Sequence, residues 1–123
     1  MSMQVDVAAL GEALAEYGFA YLVTVGDSGR VHVLAVTPVL EGAGELVVGG
    51  VGHHSQDNAL ARPDVTLVWP PTEDGGFSLI VDGVATVDGE TITVAPTKAI
   101  KHRPAPAPGP DGQRAGSDCQ PVA

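Results

Sequence analysis

The sequence holds a single cysteine, Cys119, so no disulfide can form within the chain, and a reducing compartment fits. No apolar run comes near the roughly 20 residues that a membrane helix needs, and Met1-Ser2-Met3 lacks the basic and apolar pattern of a signal peptide. A soluble, cytoplasmic protein without a membrane partner is therefore expected. Basic residues are scarce: 6 Lys plus Arg stand against 15 acidic residues, a formal charge of −9, which speaks against a nucleic-acid partner. Before residue 97 the only ones are Arg30 and Arg62; Lys98, Lys101, Arg103 and Arg114 follow. An anionic ligand must then be held by backbone N–H groups, by histidines or by the stretch from Lys98 to Arg103. A Walker A loop, a GxGxxG fingerprint in a βαβ unit and a GxSxG elbow are also missing. If the protein is an enzyme, a cofactor must supply its chemistry.

What is present is a strand-rich pattern. At 123 residues the chain has the length of one domain with one core. Leu10, Ala13, Leu14 and Tyr17 recur at helical spacing within residues 5–17, predicting an amphipathic helix that Gly18 ends. FAYLVTV (19–25) and VHVLAVTPV (31–39) flank the Gly26-Asp27-Ser28-Gly29 turn and read as a hairpin. Its second strand frays or lies at a sheet edge where Pro38 removes a donor. Glu45 to Gly49, Val65 to Trp69, Phe77 to Val87 and residues 91–95 supply four more strands, with a bulge at Asp82-Gly83 and a tight turn at Asp88-Gly89.

Six strands, a leading helix and one short helix between strands, without βαβ alternation, predict a mainly β fold: a small six-stranded barrel over residues 1–96. Barrel closure or pairing of two copies would remove its open edges. From 97 to 123 the composition turns rich in Pro and Gly and predicts a flexible tail.

The stretch from Leu46 to Trp69 draws the functional question. Gly49, Gly50 and Gly52 make a corner between a strand and the short helix, and Ser55 stands where an N-cap would stand. Free N–H groups at such a corner suit an anion. The same pattern also suits a loop that only caps a helix, and Asp57, placed in the first helical turn, would repel a phosphate. His54 and Ser55 are the candidate donors. His53 and His54 are adjacent and point apart on any regular backbone; with His32, His102 and Cys119 they match no standard ligand spacing, so no metal is expected. Trp69 reads as a core plug or as a wall of a flat-ligand pocket. No side chain stands out as a catalytic acid, base or nucleophile.

The run VVGGVGHHSQDNALARPDVTLVWP followed by FSLIVDGVATV resembles the pyridoxamine 5′-phosphate oxidase-like family, the flavin-binding split β-barrels, over about residues 5–95. SLIVDGVATV with VAPTKAIKHRPA and the terminal SDCQPV resembles a group of uncharacterised actinobacterial-type members of that family. The resemblance implies a split barrel that forms a homodimer, with FMN, or the deazaflavin F420, in each cleft between subunits. It puts the phosphate site at the glycine corner, where Gly52 and Pro63 match the family pattern, while His54 stands for its arginine and Ser55 for its lysine.

The cofactor-binding set implied is Thr37, Gly49, Gly50, His53, His54, Ser55, Gln56 and Trp69, with Lys98 and Lys101 reaching the cleft of either subunit. The activity implied is a flavin- or deazaflavin-dependent oxidoreductase acting on a small molecule. A split-barrel protein that binds a flavin, a haem or another small ligand without catalysis is the alternative.

Overall fold

A computed structural model describes residues 1–105. In chain order it contains β1 (Ser2–Val5), a 3-10 turn (Val7–Ala9), α1 (Leu10–Leu14), β2 (Ala20–Val25), β3 (Val31–Val36), β4 (Val39–Glu41), β5 (Glu45–Val48), α2 (His53–Ala61), β6 (Asp64–Trp69), β7 (Ser78–Asp88) and β8 (Thr91–His102). The strands form one antiparallel sheet in the order β3-β2-β6-β7-β8-β5-β4, with β1 added on β8. Its two end strands, β3 and β4, are joined only by Thr37-Pro38, so the sheet must curl until its ends meet at that bend. This is a mainly β fold consistent with a split barrel. No helix among the described residues is long and apolar enough to cross a membrane.

Three expectations need correction. Eight strands are present among the described residues where six were expected. One of the additional strands is β1, whose exposed residues hide it from an alternation test; the other arises because Pro38, unable to donate, divides one predicted strand into β3 and β4. The leading helix is short, because Val5 belongs to β1 and Asp6 then caps the 3-10 turn by accepting from Ala8 N–H at 3.0 Å. Third, the last strand does not stop at Ala95 but runs on to His102.

The reason for the longer strand lies in the β7–β8 ladder. Asp82 pairs with Lys98 but Gly83 with Pro96, which leaves Thr97 as the extra residue of a bulge. Pro96, which reads as the start of a tail, sits at that bulge, where a missing donor costs no ladder bond. Thr97 Oγ1 donates to the Asp82 carbonyl at 3.1 Å and so closes the irregularity. Residues 106–123, including Arg114, Cys119 and most of the expected tail, lie outside the described residues.

Inward positions of the alternating strands make the core: Leu22, Leu46, Val48, Leu67, Trp69, Leu79, Val81, Ile92 and Val94 are all buried. Val51 and Ala59 join them, so both the corner and α2 are packed onto one end of the barrel.

Candidate functional site

The corner is held from below. Val51 N–H donates to the Glu90 carbonyl at 2.9 Å, which ties it to the β7–β8 turn, and Gln56 Nε2 donates to the Val51 carbonyl at 2.6 Å. Asn58 Nδ2 donates to the buried Thr24 Oγ1 at 3.1 Å and fixes α2 against β2. Gly50 adopts a φ of 67°, a left-handed conformation that a residue with Cβ reaches only at a cost.

Above this support the helix begins at His53 with Gly52 as N-cap, and no side chain caps it. The first N–H groups of α2 are thus left to a ligand or to water. No acidic residue occupies its first turn, so Asp57 lies too late in the helix to cancel the dipole there.

The candidate residues divide into three sets. Gly49, Gly50, His53 and His54 are exposed along the corner, and Thr37 is exposed at the β3–β4 bend. The β4–β5 register, continued by two positions, sets Thr37 opposite Gly49.

Ser55, Gln56 and Trp69 are turned inward. Ser55 is not the N-cap but the third residue of α2; it is 1% exposed, and its Oγ is buried without a hydrogen-bond partner. Gln56 braces Val51. Trp69 occupies an inward position of β6 and is 1% exposed, so within the protomer it plugs the core and cannot wall a surface pocket.

Lys98 and Lys101 form the third set, on the half of β8 that pairs with β1. Lys101 is bound to Glu16 at 3.1 Å and lies 5.9 Å from the centroid of the Tyr17 ring. Burial pushes the Tyr17 phenol above its ordinary range, the Lys101 ammonium opposes this, and Glu16 adds to it. Its hydroxyl donates to the Phe77 carbonyl at 3.0 Å. Neither lysine lines the pocket beside His54.

That pocket, about 490 Å³, is lined by Arg30, His32, His54, Asp57 and Asn58, among others. The His32 and His54 rings stand 5.8 Å apart, tilted by 43°. Arg30, His32 and Asn58 were not among the cofactor residues that the sequence suggests. The alternation of β3, which puts His32 on the same face as Leu34 and Val36, was the one available signal, and it says nothing of α2 as the neighbour. Arg62 instead pairs with Asp27 at 3.1 Å in an exposed bridge that contributes little.

The uncapped helix start and the open glycine corner lie together in sequence, and His54 links them to the pocket beside β3. The chain has the fold of the pyridoxamine 5′-phosphate oxidase-like split barrels. It is similar to an F420 reductase (TM-score 0.60, 18% identity, covering 72% of this chain and 94% of the other). It is also similar to a candidate pyridoxamine 5′-phosphate oxidase from Listeria innocua (TM-score 0.61, 14% identity, 76% and 94%) and to HutZ, the heme storage protein of Vibrio cholerae (TM-score 0.54, 16% identity, 75% and 92%).

No family model matches the sequence. The uncharacterized proteins Mb0449c of Mycobacterium bovis and MT0457 of Mycobacterium tuberculosis are each 41% identical to it, over 94% of this chain and 90% of their own length. The chain belongs to the family of these mycobacterial proteins.

Proposed function

We propose that this is a homodimeric, cytoplasmic oxidoreductase that binds FMN or the deazaflavin F420 at the glycine corner and acts on a small molecule. The observation that carries the reading is the uncapped start of α2, with His53 and His54 exposed beside Gly49 and Gly50. Its first N–H groups suit a phosphate, and the helix dipole favours the negative charge. Residues at the Thr37 and Gly49 strand ends would then meet the edge of the ring system. The bound cofactor would supply hydride transfer; the chain's own part is to orient it and shield it from water.

The outer face of the sheet supports the homodimer. Val31 and Val33 of β3 are 55% and 53% exposed, and Tyr21 of β2 and the adjacent Phe19 are 38% and 44% exposed, their rings meeting edge to face with centroids 5.1 Å apart. By register, Tyr21 adjoins Val68 of β6, which adjoins Ile80 of β7 and then Ile100 of β8. A monomer would leave this apolar stripe in water, and a second copy covers it. In such a dimer Lys98 and Lys101 are candidates to approach the cleft of the other subunit.

One observation favours a second reading. The corner offers histidines where a strong phosphate grip would use arginine and lysine, which suits a protein that binds a flavin, a haem or another small ligand without catalysis.

Titration of the purified chain with FMN, F420 and haem, followed by a turnover assay with the reduced cofactor, separates the readings. Flavin or F420 binding with turnover supports the oxidoreductase; binding without oxidation by any acceptor supports the carrier. Failure of all three ligands to bind sinks the oxidoreductase and the flavin and haem forms of the carrier. Light scattering that finds a monomer at micromolar concentration removes the shared cleft.

A further inference from the structure

We propose that His32 and His54 form a binding site for a divalent cation of the zinc, nickel or copper type. The two residues are far apart in sequence, one on β3 and one in the first turn of α2, yet their ring centroids are 5.8 Å apart. Zinc–nitrogen bonds of about 2.0–2.1 Å place two imidazoles on one tetrahedral ion with centroids roughly 5–6 Å apart. The 43° tilt is not that of a parallel stack.

The backbones that carry the rings are held together. His32 pairs in the ladder with Thr24, and Thr24 receives the Asn58 amide from α2 at 3.1 Å, so strand and helix are pinned at the ladder partner of His32 and one helical turn beyond His54. Imidazole selects borderline metals over magnesium or calcium. Asp57 lines the same pocket, and the chain carries a net charge of −9, both of which favour a cation there, against Arg30 in the lining and the positive end of the α2 dipole.

Among the described residues no set of three His, Cys, Asp or Glu side chains is placed to hold a metal ion. The site is therefore an open one: two imidazoles occupy two positions, and the remainder are open to water or to an anionic oxygen. This openness gives the ion a role. A cation beside the uncapped start of α2 supplies the positive charge that the corner lacks, and a phosphate oxygen can take an open position. That consequence rests on the flavin reading above; the metal site itself does not.

The full chain, stripped with a chelator, is titrated with Zn²⁺, Ni²⁺ and, as a control, Mg²⁺ by calorimetry. The expected result is Zn²⁺ and Ni²⁺ binding that loses one equivalent in both His32→Ala and His54→Ala and keeps it in His102→Ala, with no binding of Mg²⁺. Wild-type protein that binds neither Zn²⁺ nor Ni²⁺, or wild-type binding in either variant of the pair, overturns the site. NMR of the wild-type imidazoles gives a reading that needs no variant: Zn²⁺ must shift the His32 and His54 resonances together.

FMN titration with and without one equivalent of Zn²⁺ tests the role. Affinity roughly tenfold higher with the metal is expected, equal affinity overturns the charge role alone, and FMN binding in neither condition counts against the flavin reading while leaving the metal site standing.

Discussion

Glycine does opposite work in two regions of this molecule. In the β7–β8 ladder, a Cβ on Gly83 would lie 2.6 Å from both the Ala95 carbonyl oxygen and Val94 Cγ1. At the corner, a Cβ on Gly49, Gly50 or Gly52 would meet nothing within 4 Å. The ladder uses glycine because two backbones approach too closely for a side chain, which is packing. The corner uses it for conformational freedom and leaves space in front, which is what a binding surface requires. Sequence alone marks a bulge at one and a corner at the other, but not which glycine has space in front of it.

Substitutions can break or sharpen this contrast. The largest loss belongs to the packed side: Trp69→Ala should cost about 3–5 kcal/mol of stability, read from denaturant unfolding, because it empties the centre of the core. Retention of wild-type stability would mean that Trp69 is not a core plug. Gly83→Ala should follow, at about 1–3 kcal/mol, since one of its two close contacts is with the Ala95 backbone, which cannot yield.

Gly50→Ala should cost roughly 1–2 kcal/mol through its positive φ and not through any clash. Its more telling readout is ligand affinity, which should fall with the altered corner while the β7–β8 ladder stays intact by hydrogen exchange. Equal ligand affinity in Gly50→Ala and wild type would detach the corner from binding.

The smallest effect lies where Tyr17 meets the chain near Phe77. Tyr17→Phe removes the hydrogen bond to the Phe77 carbonyl and should cost about 1 kcal/mol. The phenol is held above its ordinary value of 10.0, so the folded state favours the neutral form. The stability that this provides is fully present below pH 10.0 and lost as pH rises through the raised value. Thermal melts of wild type and Tyr17→Phe should therefore converge in alkaline solution; a gap that widens with pH would contradict the shift.

Much of the fold was legible. The hairpin of β2 and β3, the break at Pro38, the irregularity at Asp82-Gly83 and the turn at Asp88-Gly89 all follow from alternation and from local rules for Pro and Gly. Less of the site was legible, because its residues come together through the sheet's curl. Gly49, Gly50, His53 and His54 are consecutive enough to be seen as one corner. His32 and Arg30 share a pocket with His54 only because β3 ends the sheet beside α2. Ser55 is not the N-cap that the sequence suggests, because a helix that begins at His53 rather than after Ser55 places it under the helix, while Gln56 turns onto Val51.

The sequence by itself determined where strands start and stop along most of the chain, that a glycine corner separates β5 from α2, and that cations are scarce around it; these depend on neighbours in the chain and on period-two burial. Tertiary structure alone decided that Trp69 faces the core, that Thr97 is the bulged residue and β8 continues past Pro96, and that two histidines from distant segments face each other. Each of these depends on ladder register and on the closing curl of the sheet, which are set by contacts between residues far apart in the chain.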